Sequence, residues 1–309
     1  MFDYPLDDVL RFQHLQAKST HNSYHIEPDG STLQDWAYTH LPIDQQFDQQ
    51  GVRHVELDVR FDSANGRFEV YHLPVIDEVT TCRLFTDCIA AGKAWSDAHR
   101  AHHPVVFQLE FKDSLPPDPE PYFAAIHAEV LSVWPESRII TPALVKGSAE
   151  SVFAAISDHG WPTLGELRGK ALFTIDNGGA LRDAYTHDGT DLQDRLMFPE
   201  SEPGAPYAAS TVLNDPLGNA DAIAAAVAAN MLVRTRADSG GAEAIAGDTT
   251  RLEAALASGA HFITTDFPAK VEAHDYWVEI PDGMPSRCNP VTGPRSCTSI
   301  AIEDPGFLK

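Results

Sequence analysis

Short β-rich runs alternate with helical patterns along most of this 309-residue chain, and that alternation constrains its fold more than any other feature. Strands are expected at Leu15 to Thr20, Val52 to Phe61, Val105 to Phe111, Arg138 to Thr141, Ala171 to Asp176, Leu196 to Pro199, Met231 to Arg236 and Phe262 to Phe267. Helix-forming stretches lie between several of them. Phe85 to His102 is one, and Tyr122, Ile126, Val130 and Trp134 repeat at four-residue spacing on another, behind Pro and Asp start signals. Residues 148–157, 220–229 and 249–257 are Ala-rich helix formers, the last capped by Asp248-Thr249. Arg67 to His72 follows an Asn65-Gly66 turn and reads as a hairpin partner of the second strand. Alternating β and α elements imply a parallel sheet, and about eight such units suggest closure into an α/β fold of the (β/α)8, or TIM, barrel type. No GxGxxG follows the first strand, which disfavours a dinucleotide-binding fold. The expected organisation is a single catalytic domain over residues 1–309. The barrel spans about 13–268, and a tail of 269–309 carrying Pro281, Pro285, Pro290 and Pro294 packs on it.

Chemistry in such a barrel gathers at the C-terminal ends of the strands. The first strand runs into His21-Asn22. The second carries Glu56 and Asp58 at i, i+2, so both carboxylates face one side. His72 closes the hairpin run, Glu110 and Lys112 end the next strand, and Arg234 and Arg236 share a later one. Thr265 and Asp266 end the last. Charges aimed inward from apolar strands are costly unless paired or bound to a metal. Glu56, Asp58 and Glu110 with Asn22 form an oxygen-only set, which suits Ca2+ better than zinc. His21 and His72 flank the set, and imidazole transfers protons near neutral pH. The chain has 14 histidines, so one alone means little. His14, His25, His40 and His54, close to the site in sequence, are expected to be structural or to support the site residues from behind, and His99, His102 and His103 to be solvated.

A net charge of −23 argues against nucleic acid as a partner, which needs clustered Lys and Arg. It also argues against a basic patch for anionic membranes. No apolar run reaches transmembrane length, and the N-terminus does not read as a signal peptide. The four cysteines form two local pairs, Cys82 with Cys88 and Cys288 with Cys297, without zinc-site spacing. Two local disulfides are expected, hence an exported protein, with a cytoplasmic one if the thiols are free.

The runs Lys18-Ser19-Thr20-His21-Asn22-Ser23-Tyr24, Gly51 to Arg60 with its Glu56-x-Asp58, Tyr71-His72 and Leu109-Glu110 resemble the catalytic region of the phosphatidylinositol-specific phospholipases C. Val233 to Asp238 and Ser258 to Asp266 resemble the bacterial calcium-dependent subgroup. The resemblance spans roughly Leu15 to Pro268. It implies a (β/α)8 barrel with Asn22, Glu56, Asp58 and Glu110 as Ca2+ ligands, His21 and His72 as the catalytic pair, and Lys112, Arg236 and Arg234 as phosphate-holding candidates. Metal-independent bacterial members place an Arg near the position of Asp58, so the carboxylate implies the metal-dependent branch. The implied substrate is phosphatidylinositol or a related phosphodiester, met in transient contact with a membrane surface, by a monomer. A glycerophosphodiester phosphodiesterase shares the Glu-x-Asp and Glu-x-Lys pattern but normally begins with His-Arg-Gly. A Ca2+-binding barrel without catalysis is the remaining alternative.

Overall fold

The computed structural model describes residues 4–30 and 33–308. Its strands are β1 (Leu15–Thr20), β2 (Val52–Asp62), β3 (Arg67–Val70), β4 (Val105–Phe111), β5 (Ile139–Ile140), β6 (Ala171–Ile175), β7 (Phe198–Pro199), β8 (Ser210–Val212), β9 (Leu232–Arg236), β10 (Phe262–Thr265) and β11 (Arg287–Cys288). The path β6-β4-β2-β1-β10-β9-β8 is parallel throughout. The free edge of β6 is divided between two short strands. Ile139 and Ile140 of β5 pair with its first residues, and Phe198 and Pro199 of β7 pair with its last. A single parallel bridge, Glu200 to Ser210, and the bond from Ser201 N–H to the Ser210 carbonyl at 3.1 Å join that edge to β8. The chain is therefore an α/β barrel with a thin seam.

The sequence expectation needs correction at that seam. Arg138 to Thr141 is reduced to the two-residue β5, and Leu196 to Pro199 to the two-residue β7. The ring instead uses β8, a strand of Ser, Thr and Val between irregular segments, too short to carry a period-2 pattern. Elsewhere the strands fall where the apolar runs lie, and β3 pairs antiparallel with β2 through the Asn65-Gly66 turn. The helix Phe85–Ala98 stops four residues earlier than expected. The helix expected at 148–157 begins at Val152, where the Ser151 hydroxyl accepts the Ala154 N–H at 3.0 Å.

Phe107 and Phe173 stack with centroids 5.2 Å apart, and Trp134 from the end of Glu120–Val133 meets Phe107 edge-on at 6.0 Å. The tail closes the base of the barrel. β11 pairs antiparallel with the first residues of β1, and Gly51, at φ +67°, lies so close to Pro285 that an added Cβ would sit 2.6 Å from its ring. Glu303 of the tail is buried against Arg53. Both cysteine pairs form disulfides, Cys82–Cys88 and Cys288–Cys297, with Cα separations of 5.2 and 6.0 Å. No helix among the described residues is long and apolar enough to cross a membrane.

Candidate active site

Parallel register aligns the inward-facing residues in layers. Glu56 lies opposite Gln108 and Asp58 opposite Glu110, while Gln108 lies opposite Thr174. Because alternate residues share a face, Asp176 then follows Thr174 to the mouth of the barrel. On the other side, Arg234 lies opposite Phe262 and Arg236 opposite Thr264. The apolar strands thus end in a ring of charge.

Glu56, Glu110 and Asp176 each present an oxygen, and these atoms lie within 4.8 Å of one another. Oxygens at opposite sides of a Ca2+ ion are separated by about twice the usual 2.3–2.6 Å bond, so this spacing fits one shared cation. Asp58 stands beside the trio rather than in it. Its carboxylate is fully buried and lies 3.0 Å from the Lys112 ammonium, which is also 2.6 Å from Glu110. Neither Asp58 oxygen has a hydrogen bond of normal geometry among the described residues. Asn22, at φ +42°, turns the chain out of β1, and its side-chain oxygen accepts the Tyr24 hydroxyl at 3.3 Å. The Ser23 N–H donates to the Glu56 carbonyl at 2.9 Å and the Glu56 N–H to the Ser23 hydroxyl at 2.8 Å, tying the His21-Asn22 turn to the acidic strand.

The acids repel one another. Burial raises Glu56 to about 8; Arg234 opposes this, whereas Asp176, Asp58 and Glu110 add to it. Burial raises Asp58 to about 7 against Lys112, with Glu110 pushing the same way. Asp176 is raised, again chiefly by burial. Burial works against the Lys112 ammonium, but Asp58 and Glu110 outweigh it and hold Lys112 above its ordinary range. Arg234 is buried within the barrel, where it donates to Glu56 and to the Thr264 hydroxyl at 3.0 Å. An oxygen-only, charge-deficient set with an under-bonded buried carboxylate suits a hard divalent cation.

Each flanking histidine is held by an aspartate at Nδ1, which leaves Nε2 for a substrate. His21 Nδ1 meets Asp266 at 2.8 Å, and Arg236 donates to the other Asp266 oxygen at 2.8 Å. Burial and then Arg236 pull the His21 imidazole below its ordinary range, against Asp266. His72 Nδ1 meets Asp77 at 2.9 Å, and burial lowers His72 against that carboxylate. The remaining nearby histidines are braces. His40 Nε2 contacts the His21 carbonyl at 2.9 Å, and His54 Nδ1 the Ser19 hydroxyl at 2.7 Å.

Sequence reasoning missed three participants. Asp176 ends an expected strand, and its i, i+2 relation to inward Thr174 was the available signal. Asp266 was noted at a strand end without a partner, and Asp77 lies in a loop where no periodicity could mark it. His102 and His103 need the opposite correction. Both are fully buried rather than solvated, His102 Nε2 at 2.6 Å from the Ser96 hydroxyl and His103 Nε2 at 2.8 Å from that of Ser286.

Comparison with known proteins accords with this geometry. The model of the family described as "Phosphoinositide phospholipase C, Ca2+-dependent" matches residues 10–71 and 68–290. The fold is similar to that of a calcium-dependent phosphoinositol-specific phospholipase C from a Gram-negative Pseudomonas species, with a TM-score of 0.65 and 17% identity over 92% of this chain and 97% of that one. It is similar also to a Ca2+-dependent phosphatidylinositol-specific phospholipase C from Streptomyces antibioticus, with a TM-score of 0.62 and 18% identity over 84% and 96% of the two chains. The phosphatidylinositol-specific phospholipase C of Listeria monocytogenes gives a TM-score of 0.55 at 14% identity, over 86% of this chain and 93% of that one. A search of curated proteins gave no match. With the family model covering nearly the whole barrel, the chain belongs to the Ca2+-dependent phosphoinositide phospholipase C family.

Proposed function

We propose that this Ca2+-dependent phosphatidylinositol-specific phospholipase C works through His21 and His72 as an acid–base pair astride the acidic cluster. The observation that carries the reading is the pairing of each histidine with its own aspartate, Asp266 and Asp77, at the Nδ1 atom. A carboxylate there fixes the ring and leaves Nε2 to exchange a proton. His21 takes the proton of the inositol hydroxyl next to the phosphodiester. That oxygen bonds to phosphorus, the bond from phosphorus to the diacylglycerol oxygen breaks, and His72 protonates the departing oxygen. The products are a cyclic inositol phosphate and diacylglycerol, and water can open the ring by the same groups in reverse.

Glu56, Glu110 and Asp176 are the residues that would hold Ca2+, with Asn22 and Asp58 beside them. When bound, the ion supplies an acidified hydroxyl and compensation for charge developing on the phosphoryl oxygens. Lys112 and Arg236 lie at the mouth as phosphate-holding candidates, while Arg234 offsets Glu56 from below. The two disulfides support an extracellular protein. Action as a monomeric barrel domain, in transient contact with the lipid surface, completes the proposal. The test is turnover of phosphatidylinositol with Ca2+, with chelator, and after Ca2+ is restored. Release of diacylglycerol only in the first and third conditions is the expected result, and chelator-resistant release overturns it.

A further inference from the structure

Backbone pairing between β4 and β6 stops where two of the grouped acids begin. The last registered pair is Leu109 with Ile175, and the Asp176 N–H still donates to the Leu109 carbonyl at 2.9 Å. Phe111 is the next residue of β4 to face that edge. It is 3% exposed, so water cannot take up its N–H and C=O. The side chain of Asn177 meets both. Its Oδ1 accepts the Phe111 N–H at 2.7 Å, and its Nδ2 donates to the Phe111 carbonyl at 2.9 Å. A carboxamide offers the same donor and acceptor as a peptide group, so Asn177 adds one rung to the ladder after the strand itself has ended.

The rung brackets the ligands. Glu110 lies between Leu109 and Phe111, whose carbonyl and amide are held by residues 176 and 177, and Asp176 directly precedes Asn177. The two carboxylates stand within 4.8 Å of each other at a ladder end, where repulsion splays strands most easily. The loop beyond offers little bracing of its own. Gly178 and Gly179 are exposed, and Gly179, at φ +60°, has no atom within 4 Å of the place a Cβ would take.

The neighbouring joint shows why this position calls for an amide. Where β4 leaves β2, the Lys112 N–H donates to the Val59 carbonyl at 3.0 Å. One residue on, the Asp113 carboxylate accepts the Phe61 N–H at 2.6 Å and the Tyr122 hydroxyl at 3.1 Å. Both partners there are donors, which suits a carboxylate. At Phe111 one partner is a donor and the other an acceptor, and a carboxylate would set an oxygen against the carbonyl.

We propose that Asn177 is a positioning residue for the cation site: its side-chain amide pins the end of β4 to the exit of β6 and so sets the separation of Glu110 and Asp176 that a divalent cation needs. The inference rests on the reading of Glu56, Glu110 and Asp176 as the Ca2+ site.

Asn177→Ala in the full chain removes the rung. Ca2+ titrated into this variant in a calorimeter should give a Kd about 10–100-fold weaker than the parent's, the usual cost of losing a group that orients a metal ligand. Arg53→Met is the control for loosened packing. It disturbs the base of the barrel, far from the acids, and should leave Kd within about twofold of the parent. A parent-like Kd in Asn177→Ala overturns the proposal. Equal weakening in Arg53→Met also overturns it, because the effect would then be one of general stability. Amide exchange in the unaltered chain gives a reading that needs no variant. The Phe111 N–H should be protected without Ca2+ and should exchange roughly tenfold more slowly, or slower still, at saturating Ca2+. Exchange as fast as in an exposed loop overturns the rung. A parent chain that binds no Ca2+ sinks the reading of the acidic trio instead, and the protection of Phe111 is read independently of it.

Discussion

Glu56 and Asp58 at the mouth of this barrel and Glu303 at its base are all buried carboxylates, yet they come out on opposite sides of the ordinary pKa. At the mouth, Glu56 is pushed up to about 8 and Asp58 to about 7. At the base, Glu303 is as fully buried, yet it is held down at about 2. Burial acts in the same direction at both; the neighbours decide the outcome. Arg53 and then His103 lower Glu303 enough to outweigh its desolvation, and the Arg53 guanidinium stacks over Trp95 at 4.5 Å, which keeps it in place. The mouth sets four acids, Glu56, Asp58, Glu110 and Asp176, against two engaged cations, Lys112 and Arg234. The base is a closed account of charge that joins the tail to the barrel. The mouth is left in deficit, which a structural ion pair would not tolerate and a divalent cation would correct.

The largest expected effect breaks the comparison from the mouth side. Removing Ca2+ with a chelator should reduce phosphatidylinositol turnover to background and leave the protein folded. Saturating Ca2+ should add roughly 2.7 kcal/mol of stability at a hundredfold excess over Kd, read as a rise in Tm. Asp176→Asn and Glu110→Gln should each blunt that rise, and so should Asp58→Asn. A Tm shift that survives in Asp176→Asn but vanishes in Asp58→Asn would return Asp58 to the centre of the site and move Asp176 to its margin. Next in size, His21→Ala or His72→Ala should cost about 10²–10⁴-fold in turnover. The Ca2+-dependent rise in Tm should persist in both, because neither imidazole is among the grouped oxygens. Near-parental activity in either removes that residue from the mechanism.

A smaller effect is expected at the base, and there it should concern stability alone. Removing one partner of a buried pair leaves an uncompensated charge, typically about 3–5 kcal/mol. Arg53→Met, which strands Glu303, should lower the denaturation midpoint accordingly while the Ca2+ requirement of turnover stays the same. Arg53→Met with Glu303→Gln should recover part of the loss. If the double variant is no more stable than the single one, Arg53 contributes through its contact with Trp95 rather than through charge.

The contrast was only half legible beforehand. Glu56 and Asp58 could be placed on one face because strand periodicity is a local property, and Glu110 followed on the next strand for the same reason. Their collective charge deficit could not be counted, because Arg234 is 178 residues from Glu56 in sequence. Asp77 was hidden for a different reason: a hairpin of five residues has no period to read. The base was misread in direction, His103 being assigned to solvent when a tail residue 200 positions away accepts its backbone N–H. The ring of strands was legible except at its seam, where β5, β7 and β8 have two or three residues each and draw their structure from the neighbours they pair with.

The last prediction follows from the base alone. Burial lowers His102 to about 3 and His103 to about 4, so both stay neutral in the native protein well below the pH at which an unfolded histidine takes up its proton. Between an unfolded value near 6.5 and those folded values, the unfolded chain binds more protons than the native one. Stability therefore rises with pH through that window and falls as the solution is acidified. Each such histidine should remove about 1.4 kcal/mol per pH unit on going below 6.5. Glu303 acts in the same sense lower down: its folded value near 2 lies under the ordinary 4.5, so its stabilisation is present above that ordinary value and is lost as pH falls toward 2. Thermal unfolding followed from pH 7 to pH 5 at saturating Ca2+ should show a steady fall in Tm. His103→Asn, whose side-chain amide can replace Nδ1 at the Pro104 carbonyl but does not titrate, should flatten that slope by about one histidine's share, roughly 1.4 kcal/mol per unit. An unchanged slope in His103→Asn would mean that the ring is protonated and paired with Glu303 in the native state, and the base would then be an ion triad rather than a neutral clasp around one salt bridge.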